Sequence, residues 1–88
     1  MAKIFITGSS DGLGQLAAKE LLSQGHEVVI HARNADRARH TLQKVQGAAQ
    51  VLVADLSSMD ETKELAAKAN ALGRFDAIIH NAGVYNPA

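Results

Sequence analysis

The sequence predicts an α/β fold in which four parallel strands alternate with three helices. Three observations carry that prediction. Apolar or β-branched runs recur at residues 2–7, 27–32, 50–54 and 75–80. The segment after the first run places apolar residues at helical spacing, and Asn34 and Ser58 stand where they can cap two further helices. Gly25, Gly47 and Gly73 stand just past those helical segments, where glycine takes the left-handed conformation at little cost. Strict alternation with short connections means βαβ units and right-handed crossovers.

The first strand is the short run ended by Gly8-Ser9-Ser10. The first helix runs from Gly12 to Gln24, with Leu13, Leu16, Ala17 and Leu21 on its expected apolar stripe. Val28-Val29-Ile30 marks a second strand buried on both faces. Asn34 is placed to cap a second helix that ends near Gln46. Residues 50–54 form the third strand. Ser58 and Glu61 have capping-box spacing and open a third helix that runs to about Leu72. Ile78-Ile79 lies in the fourth strand, which Asn81-Ala82-Gly83 breaks.

The 88 residues suffice for one small domain. Hydrophobic residues are 47% of the chain and aromatics only 3%, so the core must be built from Ala, Val, Leu and Ile. Nine basic and nine acidic residues cancel, which gives no electrostatic footprint for nucleic acid or an anionic membrane. Cysteine is absent, which removes disulfides, thiolate metal sites and a thiol nucleophile. The four histidines are scattered without metal-site spacing. His26 and His40 read as surface residues, and His31 and His80 as strand-end residues. No signal peptide or apolar membrane span is present, so the expected setting is the cytoplasm.

The loop Thr7-Gly8-Ser9-Ser10-Asp11-Gly12-Leu13-Gly14 joins the first strand to the first helix. A helix N-terminus offers free N–H groups and the positive dipole end, both suited to a phosphate. Gly8 allows the turn out of the strand. Gly12 lets a pyrophosphate approach the helix start, and Gly14 lets the helix pack closely on the sheet. Ser9 and Ser10 add hydroxyl donors. The spacing Gly-x-x-x-Gly-x-Gly differs from Gly-x-Gly-x-x-Gly, and no Lys-Ser/Thr follows as in a P-loop.

These residues resemble the short-chain dehydrogenase/reductase family. Thr7-Gly8-x-x-x-Gly12-x-Gly14 matches its cofactor motif in full. Asp55, in Ala54-Asp55-Leu56, matches the aspartate that hydrogen-bonds the adenine ring. His80-Asn81-Ala82-Gly83 matches its Asn-Asn-Ala-Gly motif, with His80 in place of the first Asn. The resemblance covers essentially the whole chain. It implies a Rossmann-like sheet in order 3-2-1-4 and cofactor contacts from residues 8–14, Arg33, Asn34, Asp55, Leu56, Asn81, Ala82 and Gly83.

The choice of cofactor follows from charge. An NAD-binding site places an acid at the end of the second strand to accept the ribose 2′-hydroxyl. That position is Ala32 here, and Arg33 follows it. A guanidinium is a bidentate partner for the 2′-phosphate of NADP, so NADP(H) is favoured over NAD(H). Asp11 opposes this mildly by repulsion.

The resemblance implies chemistry by a serine and a Tyr-x-x-x-Lys pair. No Tyr-x-x-x-Lys stands within these 88 residues, Ser57 and Ser58 read as helix-cap residues, and Tyr85 is not assigned the acid/base role. The chain therefore reads as the N-terminal, cofactor-binding segment of an oxidoreductase that interconverts a carbonyl and an alcohol, with no catalytic or metal-ligating residue of its own. Its partners are the nicotinamide cofactor and a small-molecule substrate of the parent. The fourth strand would be an open apolar edge. That edge leaves a second possibility, a non-catalytic nucleotide-binding module that dimerises through it, and a homo-oligomer is expected.

Overall fold

The computed structural model describes residues 1–8 and 12–80. The chain runs β1 (Lys3–Thr7), α1 (Gly12–Ser23), β2 (Glu27–Ala32), α2 (Ala35–Lys44), β3 (Gln50–Val53), α3 (Met59–Ala71) and β4 (Ala77–His80). The strands form one sheet in the order β3-β2-β1-β4. Every pair is parallel, with Ile6 opposite Ile30, His31 opposite Leu52, and Thr7 opposite His80. This is the Rossmann-like order expected from the sequence. All four strands therefore point their C-terminal ends to one side. The chain reverses its direction of travel across the sheet between β1 and β4, the switch point where such sheets bind ligands.

Alternation along the strands sorts the core into two layers. Ile4, Ile6, Val28 and Ile30 meet Ala18 of α1 and Val45 at the end of α2. Phe5, Val29, Leu52 and Ala54 meet Leu65 and Ala69 of α3. Two helices thus cover one face and one helix covers the other.

The local signals explain most boundaries. The Asn34 side chain accepts a hydrogen bond from the Arg37 N–H at 2.8 Å and caps α2. Asn34→Ala is expected to cost about 1 kcal/mol of stability, read as a lower denaturant midpoint with an unchanged slope. The helix ends at Lys44 with Val45 as its cap, two residues before the expected Gln46. The fully buried Val45 side chain turns the chain into the core there.

The α1 stripe differs from expectation. Leu13 and Leu16 are 74% and 64% exposed. The buried positions are Gly14 and Ala18, with Ala17, Leu21 and Leu22 half-buried beside them. Small residues at 14 and 18 let the helix lie close to the sheet, and a leucine there would hold it off.

Strand β4 starts at Ala77 rather than Phe75. Phe75 instead stacks on Phe5 with ring centroids 5.5 Å apart, and the Lys3 ammonium lies 5.1 Å from its centroid. The Asp76 carboxylate accepts the Lys3 N–H at 2.7 Å. These contacts hold residues 75–76 against β1 outside the strand itself. Ile78 and Ile79 remain 51% and 37% exposed along the edge.

Candidate functional site

Three connections meet at the C-terminal end of the sheet: β1 to α1, β2 to α2, and β3 to α3. Each brings a different kind of group. Gly8 takes φ +67°, a left-handed turn that favours glycine, and swings the chain out of β1. Its N–H is bound internally, donating to Nδ1 of His31 at 2.9 Å. Gly8 therefore shapes the loop and does not donate to a ligand. A helix N-terminus such as the α1 start is where backbone N–H groups suit an anion.

Two features of that helix start suit an anion. Gly12, its first residue, does not take the left-handed conformation, and a Cβ built on it would meet none of the described residues within 4 Å. Neither backbone strain nor packing against the described residues asks for glycine there, which suits a group that must approach the backbone closely. Helices α2 and α3 carry acids in their first turns, Asp36 for one and Asp60 with Glu61 for the other. The first turn of α1 carries none, which leaves its positive dipole end uncompensated by acids of its own first turn. Leu13 lies exposed beside it and Gly14 faces the sheet.

At the end of β2, Ala32 is fully buried, and the exposed Arg33 follows. Arg33 lines a groove of about 590 Å³ with Gln15 of α1 and with Asn34, Asp36, Arg37, His40, Thr41 and Lys44. Asp36 pairs with Arg39 and not with His40. The groove thus joins the start of α1 to a face of α2 that carries Arg37 and Lys44 beside Asp36. Asn34 enters the site by its position, because its Oδ1 is committed to the cap.

At the end of β3, Asp55 is held from both sides. Its N–H donates to Oε1 of Glu61 at 2.9 Å. Its Oδ1 accepts the Ser57 N–H at 3.0 Å and the Ser57 hydroxyl at 2.7 Å. The Ser57 hydroxyl, and then its N–H, hold the carboxyl below its ordinary range, and the Arg33 charge adds to this. Asp55 is therefore an oriented, ionised acceptor at the rim. Leu56 stands next to it at 36% exposure. The capping box is split: Ser58 accepts the Glu61 N–H at 3.3 Å, while the Glu61 carboxylate steadies the preceding loop instead.

Of the residues predicted from sequence, the structure brings Gly8, Gly12, Leu13, Gly14, Arg33, Asn34, Asp55 and Leu56 to this one end of the sheet. Ser9, Ser10, Asp11, Asn81, Ala82 and Gly83 lie outside the described residues. The strand ends that lead to them are tied together: the Thr7 hydroxyl donates to the Ile79 carbonyl at 3.3 Å and links the end of β1 to β4.

Sequence reasoning missed the role of His31. It lies inside β2 at 2% exposure, and its Nε2 pairs with the Ala54 carbonyl at 2.8 Å. Burial pushes its pKa below 6.5, partly offset by the Ala54 bond. Since Nδ1 accepts from Gly8 and the carbonyl can only accept, the ring is neutral with its proton on Nε2. A polar residue ending a run of β-branched residues was the available signal. Among the described residues no cluster of His, Cys, Asp and Glu could hold a metal ion. No helix among them is long and apolar enough to cross a membrane.

Comparison with known proteins gives the same picture from outside. Residues 2–88 match the family model for short chain dehydrogenases. An uncharacterised oxidoreductase of Emericella nidulans is 64% identical over 84 residues, covering 96% of this chain and 33% of that protein. The short-chain dehydrogenase chry4 of Gibberella zeae is 53% identical, covering 99% and 34%. Among solved structures, the NADP active-site complex of Pseudomonas aeruginosa RhlG superposes with a TM-score of 0.83 at 36% identity. The match covers 94% of this chain and 34% of that one. The chain thus spans about a third of the length of the relatives it matches.

Proposed function

Since the chain belongs to the short-chain dehydrogenase family, we propose that it forms the NADP(H)-binding segment of an oxidoreductase that interconverts a carbonyl and an alcohol. The observation that carries the cofactor choice is Arg33. It lies exposed at the end of β2 and opens on a groove lined by Arg37, His40 and Lys44. The preceding residue is a buried alanine, so no carboxylate there accepts a ribose hydroxyl or repels a phosphate. The RhlG structure, itself an NADP complex, supports the same choice.

The residues divide the cofactor between them. The N–H groups at the α1 start would bind the pyrophosphate, with Gly12 permitting the approach. Arg33 would pair with the 2′-phosphate bidentately. Asp55 would accept a hydrogen bond from the adenine end, its carboxylate already oriented by Ser57. When bound, the nicotinamide supplies or accepts the hydride. This chain orients that cofactor, and no proton-transfer role is assigned to its residues. Ser9, Ser10, Asp11, Asn81, Ala82 and Gly83 would complete the cofactor contacts, as the family's motifs imply.

Fluorescence titration of the purified protein should find NADPH bound about tenfold or more tighter than NADH, the scale of a charge-assisted hydrogen-bonded pair. Equal affinities would contradict the NADP(H) assignment. A second reading, a nucleotide-binding module that pairs copies through β4, draws on the exposed Ile78 and Ile79. It predicts concentration-dependent dimerisation that charged substitutions on that edge abolish.

A further inference from the structure

We propose that His31 is a positioning residue for the dinucleotide, its one imidazole fixing the start of the glycine loop relative to the Asp55 turn. The inference rests on the cofactor-binding reading above. Strands β1 and β3 are not neighbours, since β2 lies between them. No strand ladder can set their ends against each other directly. His31, on the intervening strand, does so with its side chain. Nδ1 takes the Gly8 N–H at 2.9 Å, and Nε2 gives its proton to the Ala54 carbonyl at 2.8 Å.

Each bond fixes one peptide plane of the site. The first orients the Thr7–Gly8 peptide, from which the loop departs at φ +67°. The second orients the Ala54–Asp55 peptide, whose N–H is held in turn by Glu61. A rigid ring thus sets the spacing between the pyrophosphate end and the adenine end of the ligand. Its companions on this sheet face, Val29 and Leu52, are apolar. A buried imidazole is instead kept, with both nitrogens paired. The lowered pKa keeps the ring in the neutral form that can accept from Gly8.

Side-chain geometry supplies the test. In asparagine, Oδ1 is two bonds beyond Cβ, as Nδ1 is in histidine, so His31→Asn retains an acceptor for Gly8. In glutamine, Nε2 is three bonds beyond Cβ, as the histidine Nε2 is, so His31→Gln retains the donor to Ala54. Dissociation constants for NADPH and NADH should be measured on the purified wild-type protein and on His31→Leu, His31→Asn and His31→Gln, with melting temperatures alongside. His31→Leu should bind NADPH about tenfold more weakly, the scale of one buried donor left unpaired. His31→Asn should recover to within about threefold of wild type even where its melting temperature stays low. Should His31→Leu fail to fold, His31→Asn should still bind more tightly than His31→Gln, because the pyrophosphate sits on the Gly8 loop.

Binding by His31→Leu equal to wild type overturns the proposal, and so does His31→Gln binding as tightly as His31→Asn. Either result leaves the cofactor reading intact, since wild type still binds. Wild-type protein that binds neither dinucleotide overturns the cofactor reading and this proposal together.

Discussion

Gly12→Ala is expected to leave the protein at least as stable as wild type while weakening NADPH binding by roughly tenfold or more, the two effects running in opposite directions. Most glycine substitutions confound fold and function. This one separates them. Gly12 sits in helix α1 without a left-handed backbone, and its missing Cβ would touch none of the described residues within 4 Å. Alanine is the better helix former, so the described structure gives the apo protein no reason to lose stability. A ligand phosphate resting on the helix N-terminus would meet the new methyl group directly. Calorimetric melting and a cofactor titration on the same samples measure both effects. Gly25→Ala is the natural control. At φ +88° it should lower stability by about 1 kcal/mol and leave the dissociation constant alone. Normal binding by Gly12→Ala would mean that no phosphate rests against that glycine.

Arg33→Ala is expected to abolish most of the preference for NADPH over NADH. The loss should fall almost entirely on NADPH, whose dissociation constant rises by about tenfold, with NADH changed by less than about twofold. The side chain is exposed and caps nothing, so stability should stay within about 0.5 kcal/mol of wild type. Arg33→Lys should recover only part of the preference, since an ammonium cannot make the paired N–H contacts of a guanidinium. Equal losses for both cofactors would mean that Arg33 supports the ribose or the loop and does not read the 2′-phosphate.

The fold was legible in the sequence because its signals are local. Val28-Val29-Ile30 between glycine-ended helical segments admits little besides a buried parallel strand. Asn34 and Ser58 marked the helix starts they cap. What the sequence concealed depends on contacts between distant residues. Gly14 was readable as the close contact of α1 with the sheet, but Leu13 and Leu16 fit a helical period and lie exposed, while Ala18 takes the buried stripe beside Gly14. Phe75 reads as strand, but its ring is drawn onto Phe5, whose position only the β1–β4 pairing defines. Glu61 completes a capping box on paper and serves Asp55 in the folded chain.

The site shows the same division. Glycine spacing, Arg33 and Asp55 are readable because each stands at a strand end, where the chain order alone brings them together. The function of His31 is not readable. Both of its partners lie 23 residues away in sequence, one on each side of its strand, and only the β3-β2-β1 order places them around one ring.

If a nicotinamide dinucleotide with a 2′-phosphate lies across the C-terminal ends of β1, β2 and β3, its footprint on the backbone is defined in advance. Titrating ¹⁵N-labelled protein with NADP⁺, followed by amide chemical shifts, reads that footprint most directly. Gly12, Leu13, Gly14, Arg33, Asn34 and Asp55 should shift together along one saturation curve, with Arg33 and Asn34 much less perturbed by NAD⁺. Amides on the exposed side of α3, such as Lys63 and Lys68, should stay in place. Saturable shifts confined to α3 or to β4, or none at the start of α1, would contradict that placement of the cofactor.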